Sequence, residues 1–201
     1  MIVLKKKLTQ LCIGLATLGF CAMANAALPG YYVGGQLGWA DTNYSSGDLK
    51  GNASVSPITS AGIDDTGIAG RIYGGYQFNQ FWGAELGYDQ FSNTEIKHIN
   101  GINGLNATIK EYAIDLQGKG TIPISDSFGL FGKAGLAYQK INTDNPLSGN
   151  PGRINPAFGA GMAYNFTPNF SVDVAWNHIQ KWGGPIPSTD MFTGGVGYNF
   201  G

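Results

Sequence analysis

The stretch GGYQFNQFWGAELGYD (74–89) decides the fold. On either side of Asn79-Gln80 it alternates apolar with small or polar residues, the period-two signature of a β-strand. Phe78, Phe81 and Trp82 clamp the break between the two halves. The same arrangement recurs in TIPISDSFGLFGKAGLAY (121–138) and AYNFTPNFSVDVAW (163–176). Short turns flanked by aromatics at one end of several hairpins, with long polar connections at the other, are what a transmembrane β-barrel requires.

Working outward from these turns, eight strands are expected near 31–41, 67–78, 81–92, 108–122, 128–142, 154–166, 169–181 and 190–200. The segments 42–66, 93–107, 143–153 and 182–189 are long and rich in Gly, Asn, Ser, Asp and Pro; 79–80, 123–127 and 167–168 are short. The expected fold class is all-β, an eight-stranded antiparallel up-and-down transmembrane barrel. Both termini then lie on the short-turn side, which in an exported barrel is periplasmic.

Residues 1–26 read as a signal peptide and 27–201 as the barrel domain. Lys5, Lys6 and Lys7 precede a largely apolar run from Leu8 to Phe20, and Ala24-Asn25-Ala26 supplies small residues at a cleavage site. The run is too short for a membrane helix, and Thr9, Gln10 and Thr17 interrupt it. Both cysteines, Cys12 and Cys21, leave with this segment, so no disulfide, thiolate nucleophile or cysteine metal site is expected. Nine basic residues then oppose thirteen acidic ones, a net charge of −4. That balance argues against a nucleic-acid partner. The 32 glycines follow no collagen period; in a small barrel they give room where side chains crowd the lumen.

Strand parity separates two faces. Tyr31, Val33, Leu37 and Trp39 alternate with Tyr32, Gly34, Gln36 and Gly38, and the later strands follow suit. A soluble barrel would turn its apolar face inward. A secretion signal together with two aromatic bands selects the opposite polarity. The periplasmic girdle is expected at Phe78, Phe81, Trp82, Phe128, Phe166, Phe170, Tyr198 and Phe200. The outer girdle is expected at Trp39, Tyr88, Tyr112, Tyr138 and Trp176. Facing inward are Arg71, Lys119 and Lys133 against Glu85, Asp89, Glu111, Asp115 and Asp173, joined by bulky Tyr32, Tyr73 and Phe131. Buried charges must pair or neutralise, so this set is expected to fill a narrow lumen, with a candidate gate as the functional alternative.

The segments YYVGGQLGWA (31–40), GGYQFNQFWGAELGYD (74–89), GKGTIPISD (118–126), FTP (166–168) and GVGYNFG (195–201) resemble, in order and spacing, the transmembrane barrel of the outer membrane protein A family. The resemblance implies a lumen plugged by opposite charges. It places Glu85, Lys119 and Lys133 at inward charged positions of that network. It also implies an acid at Ala163, a base at Asp173 and a lysine at Gln36, so the network must be rewired here. The periplasmic peptidoglycan-binding domain of full-length members is not expected of these residues. Phe200 resembles the terminal aromatic that barrel-assembly machinery recognises.

Catalytic candidates are few. No GxSxG elbow is present, and neither His98 nor His178 neighbours a serine. Asp64, Asp65, His178 and Asp190 could assemble as an acid/base cluster at the outer rim; solvated loop charge is the simpler reading. No catalytic residue, metal site or cofactor is therefore expected. The expected role is a monomeric, surface-exposed outer-membrane protein of a Gram-negative bacterium. Its partners would be outer-membrane lipid and lipopolysaccharide, and host or phage surface proteins reached through four long loops. The alternatives are a narrow, gated ion-conducting channel and, behind it, an outer-leaflet hydrolase of lipid A or peptide. Trp182 in the last loop belongs either to the outer belt or to a contact surface.

Overall fold

The computed structural model describes residues 29–43, 62–64, 66–97, 107–143, 152–183 and 186–201. The expected signal peptide, His98, Asp65 and most of the first loop lie outside the described residues. Among those described, ten strands form: β1 (Gly30–Asp41), β2 (Gly62–Asp64), β3 (Thr66–Gln77), β4 (Trp82–Phe91), β5 (Thr94–Lys97), β6 (Ala107–Pro123), β7 (Phe128–Thr143), β8 (Gly152–Asn165), β9 (Phe170–Ile179) and β10 (Thr189–Asn199). Eight of them close a ring, β1-β3-β4-β6-β7-β8-β9-β10, with every pair antiparallel and β10 returning to β1. Closure removes the sheet edges that would otherwise leave unpaired amides in lipid.

The two remaining strands correct the sequence reading. β2 and β5 lie in segments read as connections; they pair with each other, and β5 in turn pairs with the start of β6. Ile109 alternates with polar neighbours, so the β6 ladder continues past the barrel; the Gly- and Asn-rich sequence just before it conceals this.

The three aromatic-flanked turns share one construction. The amides of Phe78, Ile124 and Phe166 donate to the carbonyls of Trp82, Phe128 and Phe170, each at 2.9 Å. The next side chain then accepts from the turn's own backbone. Asn79 Oδ1 receives the amides of Phe81 and Trp82 at 2.9 and 3.0 Å, and Ser125 Oγ receives Phe128 at 3.1 Å. Thr167 Oγ1 receives Asn169 and Phe170 at 3.3 and 2.9 Å. Short polar side chains satisfy amides that no ladder reaches. Asn79→Ala and Thr167→Ala are each expected to cost about 1 kcal/mol, read as an earlier urea midpoint for the folded barrel in vesicles.

Polarity is inverted relative to a soluble barrel. Leu37 and Ile68 remain 72% and 67% exposed, and Ile72, Leu86, Leu116, Leu136 and Val196 share that face. The buried residues include Arg71, Glu85, Asp89, Asp115 and Lys133. At the turn end the outward rings touch edge-on: Tyr31 meets Tyr76 at 4.9 Å, and Tyr198 meets both Phe170 and Phe200, at 4.8 and 4.9 Å. Trp82, Phe78 and Phe166 are exposed there, while Phe81 and Phe128 are half-buried. At the other end Tyr88 stacks on Tyr112 at 5.9 Å, Tyr138 is exposed, and Trp39, Phe192 and Trp176 stand in register across β1, β10 and β9. Tyr31, Tyr76, Tyr164 and Phe192 occupy these bands although the sequence reading left them out.

Candidate functional site

The lumen is the candidate site, and its centre is Arg71 on β3. Its guanidinium meets Asp115 through both nitrogens, Asp89 at 2.7 Å and Glu85 at 3.1 Å. Arg71 is 1% exposed. Planar, forked donors suit such multiple carboxylate pairing where a lysine would not. A Cβ on Gly87 would overlap both the guanidinium and Asp115, so glycine is required there by close approach.

Lys119 on β6 faces Lys133 on β7 directly across the ladder. Like charges placed opposite each other repel, and Glu85 resolves the conflict. Its Oε1 accepts from Lys133 at 3.0 Å and its Oε2 lies 4.0 Å from Lys119 and 3.3 Å from the Tyr32 hydroxyl. Lys119 also rests near the faces of Tyr32 and Phe131, at 4.9 and 4.8 Å. Tyr32 and Tyr73 fit side by side because each faces a glycine, Gly75 and Gly34, where a Cβ would strike the ring.

Asp173 on β9 stands opposite Ala163 on β8. Its partners reach it over Gly195 of β10, which pairs with both Gln36 and Asp173: Gln36 Nε2 donates to both carboxylate oxygens, and the Tyr73 hydroxyl lies 3.4 Å away. Thr193 donates in turn to Gln36 Oε1 at 3.2 Å. A neutral amide and a phenol thus hold the carboxylate, where the resemblance implied a lysine at position 36 and a base at position 173. Gln117, which donates to Asp115 at 2.7 Å, joins the network as well. Its inward parity beside Asp115 was the sequence signal for it.

Further out along the strands, the lumen changes character. Ala40, Ala69, Phe91, Ala113, Ala137, Ala157, Ile179 and Met191 form one buried apolar cluster, and each comes from a different strand of the ring. Every member is 6% exposed or less. One step beyond lies a polar layer. Gln139 donates to Glu111 at 3.0 Å and to Thr189 at 3.2 Å, while Asn155 donates to Gln139 at 2.6 Å. Glu111 therefore belongs to this outer layer, apart from the Arg71 cluster. At the opposite end a cavity of about 90 Å³ reaches the turn-side rim. Tyr32, Tyr73, Lys119 and Phe131 line its floor, and Ser125, Pro168 and Asn169 border its mouth.

The rim cluster weighed for catalysis assembles in part. His178 Nδ1 lies 2.9 Å from Asp190 Oδ1, which also accepts Trp176 Nε1 at 2.9 Å; Asn43 reaches Asp190 Oδ2 at 3.3 Å. His178 stacks on Trp176 at 5.7 Å. The group faces outward within the aromatic band. The Asp64 side chain lies outside the described residues. Among the described residues no group of three or more His, Cys, Asp or Glu side chains could hold a metal ion.

An all-antiparallel closed ring of eight strands, apolar outside and ion-paired within, defines a membrane β-barrel. The profile of the outer membrane protein beta-barrel domain matches residues 12–200, and the chain belongs to that family. It is 26% identical to outer membrane protein A of Klebsiella aerogenes and 28% identical to that of Serratia marcescens, in each case over 97% of this chain and 56% of the relative. The chain thus spans about half the length of these curated relatives. An uncharacterised protein of Coxiella burnetii is 27% identical, with 88% of this chain and 87% of that protein covered. In structure the fold is similar to outer membrane protein OprG from Pseudomonas aeruginosa, at 17% identity and a TM-score of 0.63, covering 88% of this chain and 99% of that one. Neisserial surface protein A gives a TM-score of 0.53 at 19% identity, covering 85% of this chain and 97% of the other.

Proposed function

We propose that this chain is a non-enzymatic, surface-exposed protein of the Gram-negative outer membrane. Its barrel serves as a closed anchor, and its long connections carry the interactions. In this reading residues 1–26 are removed on export, the short turns and both chain termini face the periplasm, and the protein is a monomer. The proposed partners are outer-leaflet lipid and lipopolysaccharide around the outer girdle, host or phage surface proteins on the loops, and assembly machinery at β10. The observation that carries the reading is the lumen. Among the described residues, an ion-paired layer backed by an eight-strand apolar layer interrupts the polar path, which supports an anchor over a solute pore.

A narrow gated channel is the second reading, favoured by one observation. Glu85 is shared among Arg71, Lys133 and Lys119, and shared ion pairs can exchange partners. Refolded protein should migrate faster on gels before heating than after, with β-rich circular dichroism. In planar bilayers wild type and Lys119→Ala should both be silent. Steady conductance in wild type that changes in Lys119→Ala would transfer the assignment to the channel.

A further inference from the structure

Of the three lumen cations among the described residues, Lys119 alone keeps substantial access to solvent. Its side chain is 18% exposed, against 0% for Arg71 and 2% for Lys133. The opening is the turn-side cavity, whose floor Lys119 shares with Tyr32, Tyr73 and Phe131. Among the described residues, no other charged side chain lines that cavity. Glu85 and Asp173 are engaged by the floor phenols instead. The Tyr32 hydroxyl lies 3.3 Å from Glu85 Oε2, and the Tyr73 hydroxyl 3.4 Å from Asp173 Oδ1.

Lys119 is under-used as a donor. An ammonium carries three N–H groups, yet the carboxylate oxygen it pairs with, Glu85 Oε2, is 4.0 Å away. That is beyond hydrogen-bonding reach. Glu85 is meanwhile committed through Oε1 to Lys133 at 3.0 Å and to Arg71 at 3.1 Å. The rings of Tyr32 and Phe131 flank the charge, their centroids 4.9 and 4.8 Å from Nζ. A half-desolvated ammonium with donors to spare favours an anionic acceptor.

The size and walls of the cavity narrow the class of that acceptor. Its volume of about 90 Å³ is several times the roughly 10–15 Å³ that one water needs, so it admits a small organic molecule. Phe128 and Phe131 supply apolar wall, and Thr121, Asn165 and Ser171 supply neutral hydrogen-bonding groups. One ammonium balances a monocarboxylate, whereas a phosphate dianion would keep half its charge uncompensated. A ligand cation would meet Lys119 with no acid on the wall to receive it. The ion-paired layer closes the inner end, so a molecule entering between the turns is held and not passed on.

We propose that the turn-side cavity is a binding pocket for a small monocarboxylate with a compact apolar body. The carboxylate pairs with Lys119, and the body rests against Phe128 and Phe131. Binding needs the cavity alone; the proposed orientation adds that the periplasm supplies the ligand.

The test uses the full barrel refolded in zwitterionic micelles at neutral pH, with 4-fluorobenzoate as probe and 4-fluorobenzamide as its neutral counterpart. Fluorine NMR of each probe, titrated against the barrel and against empty micelles, reads binding. Wild type should bind the benzoate saturably and at least about tenfold more tightly than the benzamide. Lys119→Gln should reduce the benzoate to the level of the benzamide. Ala163→Leu, which fills the cavity from its β8 wall and leaves every charge in place, should abolish saturable binding of both. Lys140→Gln, on the outer part of β7, should bind as wild type does. The heat-dependent gel shift verifies folding of each variant. Equal affinity for the two probes, or benzoate binding unchanged in Lys119→Gln or in Ala163→Leu, would overturn the pocket. So would displacement of the benzoate by an equal concentration of inorganic phosphate, which would assign Lys119 to a free inorganic anion. A wild-type chain with no gel shift would instead sink the barrel reading beneath it; an intact shift without benzoate preference sinks this proposal alone.

Discussion

Arg71→Met is expected to destabilise the folded barrel by about 3–5 kcal/mol, the cost of leaving buried partners uncompensated. Three carboxylates, Glu85, Asp89 and Asp115, converge on that guanidinium, which packs where any side chain at Gly87 would strike it. Without it, Glu85 retains Lys133 and Lys119, whereas Asp89 and Asp115 lose the cation that holds them together. Adding Asp89→Asn and Asp115→Asn to Arg71→Met should recover a large part of the loss, because neutral amides repel less and can donate as well as accept. Urea titration in vesicles, read by gel mobility and tryptophan fluorescence, gives both numbers. A loss below about 1 kcal/mol, in the range of a solvent-exposed pair, would show the cluster to be hydrated and weak.

Phe91→Ala/Ile179→Ala/Met191→Ala is expected to turn a silent barrel into one with resolvable conductance steps. Five of the eight residues in the apolar layer are already alanine, so these three fill its middle. Removing them leaves a gap that water can bridge between the outer polar layer and the Arg71 cluster. Each truncation also costs about 2–5 kcal/mol, so Ile179→Ala alone, with the gel shift confirming folding, is the companion variant and should stay silent. A triple variant that folds and remains silent would place the seal in the ion-paired layer.

Much of this architecture was legible in the sequence because parity is local. A strand such as Trp82 to Phe91 declares its two faces by itself, so the inward Glu85 and Asp89 and the outward Leu86 and Tyr88 follow from counting. What parity cannot supply is relative height, since that depends on register between strands far apart in the chain. Ala40, Ala69, Ala113, Ala137 and Ala157 read singly as small fillers; only closure brings them level with Phe91, Ile179 and Met191. The same limit hid the split between Glu111 and the Arg71 cluster. The rewiring around Asp173 was half visible. The resemblance marked Gln36, Ala163 and Asp173 as altered, but that Gln36 and Tyr73 jointly hold Asp173 required the packing of β1, β3 and β9.

The three tight turns bear on how the barrel is made. Each joins strands adjacent in the chain, so β3–β4, β6–β7 and β8–β9 can zip as local units with small loop-closure entropy. The β1–β10 ladder is different: Tyr32 meets Asn199 and Asp41 meets Asp190, which unites the first and last strands of the ring. That seam has no local route. Loop-closure entropy makes it the costliest ladder of the ring to form. A barrel opening along it would expose Gln36 and Thr193 at one stroke, and with them the hold on Asp173.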